Sequence, residues 1–300
     1  MYDLIIIGSG VAGLGAAIYA RRFELKTLVL GDAEGGTITQ THLVENYPGF
    51  KSLSGLELAR NLLDHAKSLG TEIKTASVLK IEISSRGGNF KVKTASEEFE
   101  GRAIIFATGT EHRKLAVTGE QEFTNHGVSY CATCDAPFFK NKTVAVIGGS
   151  DSAVKESLVA AEHAAKVFVI YRGEKLRAEP INLRRMAAKE NIEVKCCANI
   201  LEIYGNKKVE GVKLDNGEDL KLDGIFVEIG RTPRSELAEN LGVAMNEKGE
   251  IKIDRFARTN VPGVFAAGDV TDADWKQAIT GAAEGAHAAN QAFEYLQKQE

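Results

Sequence analysis

Cys131 and Cys134, in the run Cys131-Ala132-Thr133-Cys134-Asp135, place two sulfurs within reach of one disulfide. A pair at this spacing can be oxidised and reduced by thiol–disulfide exchange, so it points to a redox dithiol that needs a source of electrons. Metal binding is the competing use of the same spacing. Tetrahedral zinc wants four ligands, however, no second pair has suitable spacing, and His126 is the only imidazole nearby in sequence. Asp135 directly follows the second thiol, where a carboxyl group can protonate a departing thiolate or serve as a cap or turn residue. The other two cysteines, Cys196 and Cys197, are adjacent in a strand-like stretch from Glu193, and are expected to be buried as small apolar side chains.

The electron carriers are suggested by glycine. In Gly8-Ser9-Gly10-Val11-Ala12-Gly13 the first glycine makes a tight turn, the second lets the backbone approach a pyrophosphate, and the third lets helix pack on strand. The helix that follows turns its N-terminus towards the phosphates. Asp32, after the second strand and just ahead of Gly35-Gly36, is either the carboxylate for a ribose or a solvated turn residue. Ala107-Thr108-Gly109 and Gly268-Asp269 end two further strands, and Asp269 could accept hydrogen bonds from sugar or ribityl hydroxyls, or simply make a turn.

These motifs need strands and helices to hold them. Asp3 to Ile7 reads as a buried strand, Val11 to Phe23 as a small-residue helix and Lys26 to Leu30 as a second strand, a βαβ unit of about 30 residues. The pattern recurs as Lys142 to Ile147, Asp151 to His163 and Lys166 to Tyr171. A β-meander follows each unit. The first comprises Val78 to Ile83, a Gly87-Gly88-Asn89 turn, Phe90 to Thr94, Glu97 to Glu100 and the buried strand Ala103 to Ala107. The second comprises Ile200 to Tyr204, Val209 to Leu214, an Asn216-Gly217 turn, Glu218 to Leu222 and Gly224 to Ile229. A strand end at Gly263 to Asp269 and a long helix from Trp275 to about Leu296 complete the first domain, which is therefore discontinuous. The expected fold is α/β with two Rossmann-like, three-layer nucleotide-binding domains carrying β-meanders. One spans 1–112 and 237–300, and the other, 113–236, carries the dithiol.

Length and charge agree with this reading. Three hundred residues suffice for two domains with their own cores, and 37 Lys and Arg against 41 Asp and Glu leave a net charge of -4 with no long run of either sign. Neither nucleic acid nor an anionic membrane is an expected partner. The first apolar run reads as a buried strand and not a signal peptide, and no stretch reads as a membrane span. Four cysteines are too few for a disulfide scaffold, so a reducing, cytoplasmic location is expected.

Taken together, the residues resemble the low-molecular-weight thioredoxin reductases over nearly the whole chain. The resemblance is carried by Gly8 to Gly13, Gly35-Gly36, Glu45-Asn46-Tyr47-Pro48-Gly49, Ala107-Thr108-Gly109, Cys131 to Asp135, Gly230-Arg231-Thr232-Pro233, Gly268-Asp269 and Trp275-Lys276-Gln277-Ala278. It implies an FAD-dependent oxidoreductase in which hydride from NADPH or NADH reaches FAD, then the Cys131–Cys134 disulfide, then a thioredoxin-like protein. It implies FAD held by Gly8, Ser9, Gly10, Ala12, Gly13, Gly31, Gly35, Gly36, Thr37, Thr108, Gly109, Gly268, Asp269 and Lys276, with Asn46 and the Gln277-Ala278 backbone near the flavin ring. It further implies that Cys134 faces the flavin, that Cys131 attacks the partner disulfide, that Asp135 is the acid, and that the protein is a homodimer. Arg113 and Phe138-Phe139-Lys140 are candidates for the partner-facing surface, with core packing the alternative for the phenylalanines.

The nicotinamide half departs from the family. Its fingerprint, Gly148-Gly149-Ser150-Asp151-Ser152-Ala153, has serine where the family has its second glycine, and a Cβ there can crowd a pyrophosphate. Where NADPH-using members resemble His-Arg-Arg-x-x-x-Arg, this chain has Tyr171-Arg172-Gly173-Glu174-Lys175-Leu176-Arg177. One arginine is lost while Arg172 and Arg177 remain, and each lost charge-assisted contact to a 2′-phosphate removes roughly 1.5–3 kcal/mol. Glu174 is placed to take the ribose 2′-hydroxyl of NADH, or is a loop charge. Both departures also fit the same flavin and dithiol chemistry without nicotinamide, in a ferredoxin- or deazaflavin-dependent reductase or an oxygen-linked dithiol oxidase.

Overall fold

The computed structural model describes residues 1–84 and 88–299; Gly87 of the expected Gly87-Gly88-Asn89 turn lies outside them. The chain divides into two compact units, Met1–Glu111 with Thr232–Glu300, and His112–Arg231. The return to the first unit comes at Thr232 and not at 237. Ahead of 237, Arg234 already donates its backbone N–H to the Gly109 carbonyl and pairs its guanidinium with Asp32 at 2.7 Å, and Ser235 bonds the Gly249 carbonyl at 2.6 Å.

In the first unit the run Tyr2–Ile7 forms a strand because it is apolar and β-branched, and it lies between two parallel neighbours, Thr27–Gly31 and Glu98–Phe106. The sheet order is Glu72–Thr75, Thr27–Gly31, Tyr2–Ile7, Glu98–Phe106, Phe90–Thr94, Val78–Ile83. Glu98–Phe106 is one continuous strand where two were expected. Its first half pairs antiparallel with Phe90–Thr94 and its last three residues pair parallel with Val264–Ala266. One strand thus joins the meander to the nucleotide-type sheet.

Small residues bring the helices together. The Val11–Arg22 helix packs on the closing helix, Ala278–Gln297, and a Cβ on Gly15 would come within 2.9 Å of the Ala282 carbonyl oxygen. A Cβ on Gly285 would fall on the Ala12 carbonyl oxygen. Alanine and glycine on both helices therefore let the backbones approach. The sequence reading did not include the Gly55–Ser68 helix, although Ser54 and Glu57 form a capping box at its start.

In the second unit the parallel order is Ile192–Cys196, Lys166–Tyr171, Thr143–Ile147, Gly224–Val227, Val128–Ser129, and the meander is a separate three-stranded sheet of Ile200–Gly205, Val209–Leu214 and Asp219–Lys221. The expected burial of Cys196 and Cys197 is corrected: both are exposed. Ile192–Cys196 is an edge strand, covered on one side only, and Cys197 turns out of it with φ +58°. Among the described residues no helix is long and apolar enough to cross a membrane.

Candidate active site

Each strand end in the first unit places its glycines as the turn demands. Gly8 has φ +114°, and a Cβ there would fall on the Ala107 carbonyl oxygen. A Cβ on Gly13 would fall on the Gly8 carbonyl oxygen, which is why helix and strand need glycine at that contact. Gly10 differs, because nothing lies within 3.9 Å of the position its Cβ would take. The protein itself leaves that space open, on the side where the helix from Val11 begins with no acidic residue and no side-chain cap. A glycine that no protein contact requires, at an uncapped helix start, suits the close approach of a pyrophosphate, so the residues fit FAD.

Around this opening the structure gathers distant segments of the same unit. Ser9 Oγ donates to the Ala33 carbonyl at 2.9 Å and packs against Gly31, while Gly35 forms a bridge with Gly10 and, like Gly36, has positive φ. Thr37 begins the exposed side of the short Gly36–Gln40 helix. Thr108 Oγ1 donates to the Arg234 carbonyl at 2.6 Å, and Gly109 takes φ +63°. Asn46 Nδ2 donates to Gln277 Oε1 at 3.0 Å, across 231 residues of sequence. Gln277 caps the closing helix, so the N–H of Ala278 lies in its unpaired first turn. Gly268 donates its N–H to Glu284 at 2.7 Å, and burial raises the Glu284 carboxyl above its ordinary range. The Lys276 ammonium is held by Glu250 and by the Asp269 carbonyl, the latter at 3.0 Å, so it serves first to fix this loop. Asp32 is committed to Arg234, whose hydrogen bond holds its carboxyl below the usual range.

In the second unit Cys131 and Cys134 form a disulfide at the start of a short helix, with Cα atoms 5.4 Å apart. Cys131 is 9% exposed whereas Cys134 faces solvent within the chain. Ser129 Oγ accepts the Cys131 N–H at 3.1 Å and donates to Asp135 Oδ2 at 2.6 Å, so one hydroxyl ties the first cysteine to the candidate acid. The two phenylalanines part company: Phe138 is 74% exposed, whereas Phe139 packs edge-on to Phe226 over Gly224. Arg113 is exposed.

The second glycine turn is close to the first in construction. Gly148 has φ +146° and its Cβ would fall on the Glu228 carbonyl oxygen. Ala153 is buried in the place of the third glycine. Ser150 begins the helix, makes no capping hydrogen bond and is exposed, as is Ser152. Asp151 faces the protein instead. Burial alone would raise its carboxyl, but Lys155, Asn182 and the Glu179 N–H, each 2.8–2.9 Å away, hold it low. Arg172, Lys175 and Arg177 are exposed and make no ion pair among the described residues. Tyr171 explains the lost arginine. Its ring lies against Gly149 and Gly173, and a Cβ on Gly173 would come within 2.6 Å of Cε1.

Sequence reasoning missed a group of ionisable side chains behind the dithiol. Glu156 accepts the N–H of Ala132, between the two cysteines, and burial pushes its carboxyl up to about 7. Glu228, 6% exposed, is pushed to about 8 by burial and by Glu156. His112 lies 3.7 Å from Glu228 and is lowered to about 4 by burial and by Arg231. The signal was present: Glu228 is a carboxylate in the otherwise apolar run Ile225-Phe226-Val227-Glu228-Ile229. Among the described residues no cluster of three or more acidic, histidine or cysteine side chains is arranged to hold a metal.

With this geometry in place, residues 2–290 match the family model for pyridine nucleotide-disulphide oxidoreductases. The thioredoxin reductase of Listeria monocytogenes is 41% identical over 99% of this chain and 95% of its own. This chain belongs to the thioredoxin reductase family. A crystal structure of Lactococcus lactis thioredoxin reductase superposes on the reductase with a TM-score of 0.95 at 40% identity, covering 99% of this chain and all of the other. The Thermoplasma acidophilum thioredoxin reductase matches with a TM-score of 0.92 at 36% identity, over 98% of each chain. The reductase therefore shares its fold, with Rossmann-like nucleotide-binding domains, with these proteins.

Proposed function

We propose that the protein is an FAD-dependent thioredoxin reductase that draws electrons from NADPH and delivers them through Cys131 and Cys134 to a thioredoxin-like protein disulfide. The observation that carries the reading is the CxxC disulfide with its acid partner on one nucleotide-type unit, in a chain whose other unit leaves a glycine-lined opening at a helix start. FAD would be held by the residues from Gly8 to Gly13, Gly31 to Thr37, Thr108-Gly109, Gly268-Asp269 and Gln277-Ala278. When bound it accepts hydride and passes electron pairs to a disulfide. The chain's own residues do the rest. Ser129 holds the Asp135 carboxyl beside the dithiol, where it can protonate the thiolate released when the disulfide opens. Cys131, paired with that hydroxyl through its N–H, is the sulfur we assign to attack on the partner, with Cys134 the flavin-facing one.

NADPH is favoured over NADH because three exposed cations, Arg172, Lys175 and Arg177, face a single acid, Glu174, in the loop after the Lys166–Tyr171 strand. A homodimer, implied by the family resemblance, in a reducing, cytoplasmic location, suggested by the four cysteines, completes the reading.

Anaerobic mixing with NADPH and with NADH, followed by flavin absorbance, tests the donor. NADPH is expected to bleach the flavin at least tenfold faster at equal concentration, and replacing Arg172 and Arg177 together with alanine is expected to raise KM for NADPH by about 10–100-fold. Bleaching by neither nucleotide would overturn the nicotinamide assignment and leave ferredoxin, deazaflavin or oxygen as the partner. Replacement of Cys134 by serine is expected to leave FAD bound and reducible while abolishing thioredoxin reduction; full turnover in that variant would sink the dithiol assignment.

A further inference from the structure

The carboxyl behind the dithiol is built into the same hydrogen-bond frame as the cysteines. Four backbone N–H groups around the pair have partners: Cys131 with Ser129 Oγ at 3.1 Å, Cys134 with Cys131 Sγ at 3.2 Å, Asp135 with the Cys131 carbonyl at 3.1 Å, and Ala132 with the Glu156 carboxyl. Of these partners the Cys131 sulfur changes its charge as part of the redox step itself, and Glu156 is the carboxyl among them. Ala132 is fully buried, so its N–H has no water to turn to if Glu156 is removed.

The groups that act on Glu156 come from several elements. Arg231, whose Nη1 is buried without a hydrogen-bond partner, attracts it, and Glu228 opposes it from the end of the Gly224–Val227 strand. His112 lies 3.7 Å from Glu228, and Lys155, on the same helix as Glu156, is spent on Asp151.

We infer that Glu156 is a positioning residue for the Cys131–Cys134 dithiol and takes up a proton when the disulfide is reduced, releasing it when the dithiol is reoxidised. The inference rests on the dithiol assignment proposed above. Reduction breaks the S–S bond and adds two electrons from the nicotinamide donor; one sulfur takes a proton as thiol and the other remains thiolate. That new negative charge raises the proton affinity of the neighbouring carboxylate, so Glu156 takes a second proton from solvent. When the dithiol reduces a partner disulfide, the electron pair and the sulfur-borne proton leave with the product, and Glu156 returns its proton. A carboxyl raised by burial to about 7 is poised for this exchange near neutrality.

Equilibration of the wild-type holoenzyme and the Glu156→Gln variant in dithiothreitol redox buffers, with the Cys131 and Cys134 thiols counted by alkylation, reads the protons taken up per dithiol. The wild type is expected to take up about half a proton more than the variant at pH 7, rising towards one proton by about pH 8. Glutamine still accepts the Ala132 N–H, so turnover in Glu156→Gln at pH 7 is expected within about threefold of wild type, whereas Glu156→Ala, with flavin still bound, is expected to lose about tenfold or more. Equal proton uptake in wild type and Glu156→Gln would overturn the proton role, and equal turnover in Glu156→Ala would overturn the positioning role. Absence of any redox couple at Cys131 and Cys134 in the wild type would instead overturn the dithiol assignment.

Discussion

Tyr171 and Gly173 show how one side chain dictates another two residues away. The family pattern has arginine at the place of Gly173, yet the Tyr171 ring occupies the space that any Cβ at 173 would need. Arginine restored at 173 alone therefore meets the ring, whose opposite edge lies against Gly149. Replacement of Gly173 by arginine is expected to weaken NADPH use, whereas the Tyr171→His, Gly173→Arg pair is expected to lower KM for NADPH by about tenfold, the worth of one charge-assisted contact. Steady-state kinetics of the two variants checks this, and equal KM values in both would remove the steric argument. The sequence made the missing arginine legible but not its cause. The contact between a ring and a glycine Cα depends on how the strand end turns, which no spacing rule encodes.

Among the elements, the Gly224–Val227 strand carries an electrostatic cost at its end. Glu228 has an ordinary value of 4.5 and is pushed to about 8 in the folded chain, first by burial and then by Glu156. Between these values the folded chain keeps a proton that the unfolded chain has lost. Stability on this account falls as pH rises from about 4.5 to 8, and below 4.5 the group contributes nothing. Glu228→Gln is expected to raise the melting temperature at pH 8 by a few degrees, from roughly 1–3 kcal/mol of relieved penalty, and to leave it nearly unchanged at pH 5. Thermal melts at the two pH values decide the matter; a gain of equal size at both would mean that shape and not charge is responsible. Element types were legible wherever period and length agreed, as in Tyr2–Ile7, Val11–Arg22 and Lys166–Tyr171. The single strand Glu98–Phe106 was read as two because its middle, Gly101-Arg102, interrupts the apolar pattern, and its pairing with Phe90–Thr94, Tyr2–Ile7 and Val264–Ala266 keeps it extended.

For the whole molecule, the two units differ in continuity. His112–Arg231 is a single segment with its own buried clusters, one between meander and sheet and one under the Asp151–Ala161 helix. Met1–Glu111 lacks both the Val264–Ala266 strand and the closing helix that covers Val11–Arg22. A chain of residues 112–231 is expected to melt cooperatively by itself, while residues 1–111 alone are expected to aggregate and retain no FAD. Circular dichroism and flavin absorbance of the two fragments test this, and FAD retained by 1–111 would show the return segment to be dispensable.

The sequence by itself determined the chemistry and the class of fold. Cysteine spacing, glycine turns and strand–helix–strand periodicity are local, and the backbone must obey them wherever the chain goes. The exposure of Cys196 and Cys197, the seating of Tyr171 between two glycines, and the placing of Glu156 behind the Ala132 N–H were decided only by the tertiary structure. Each depends on which element lies beside which, and side chains distant in sequence acquire burial, charge and partners only when packing brings them together.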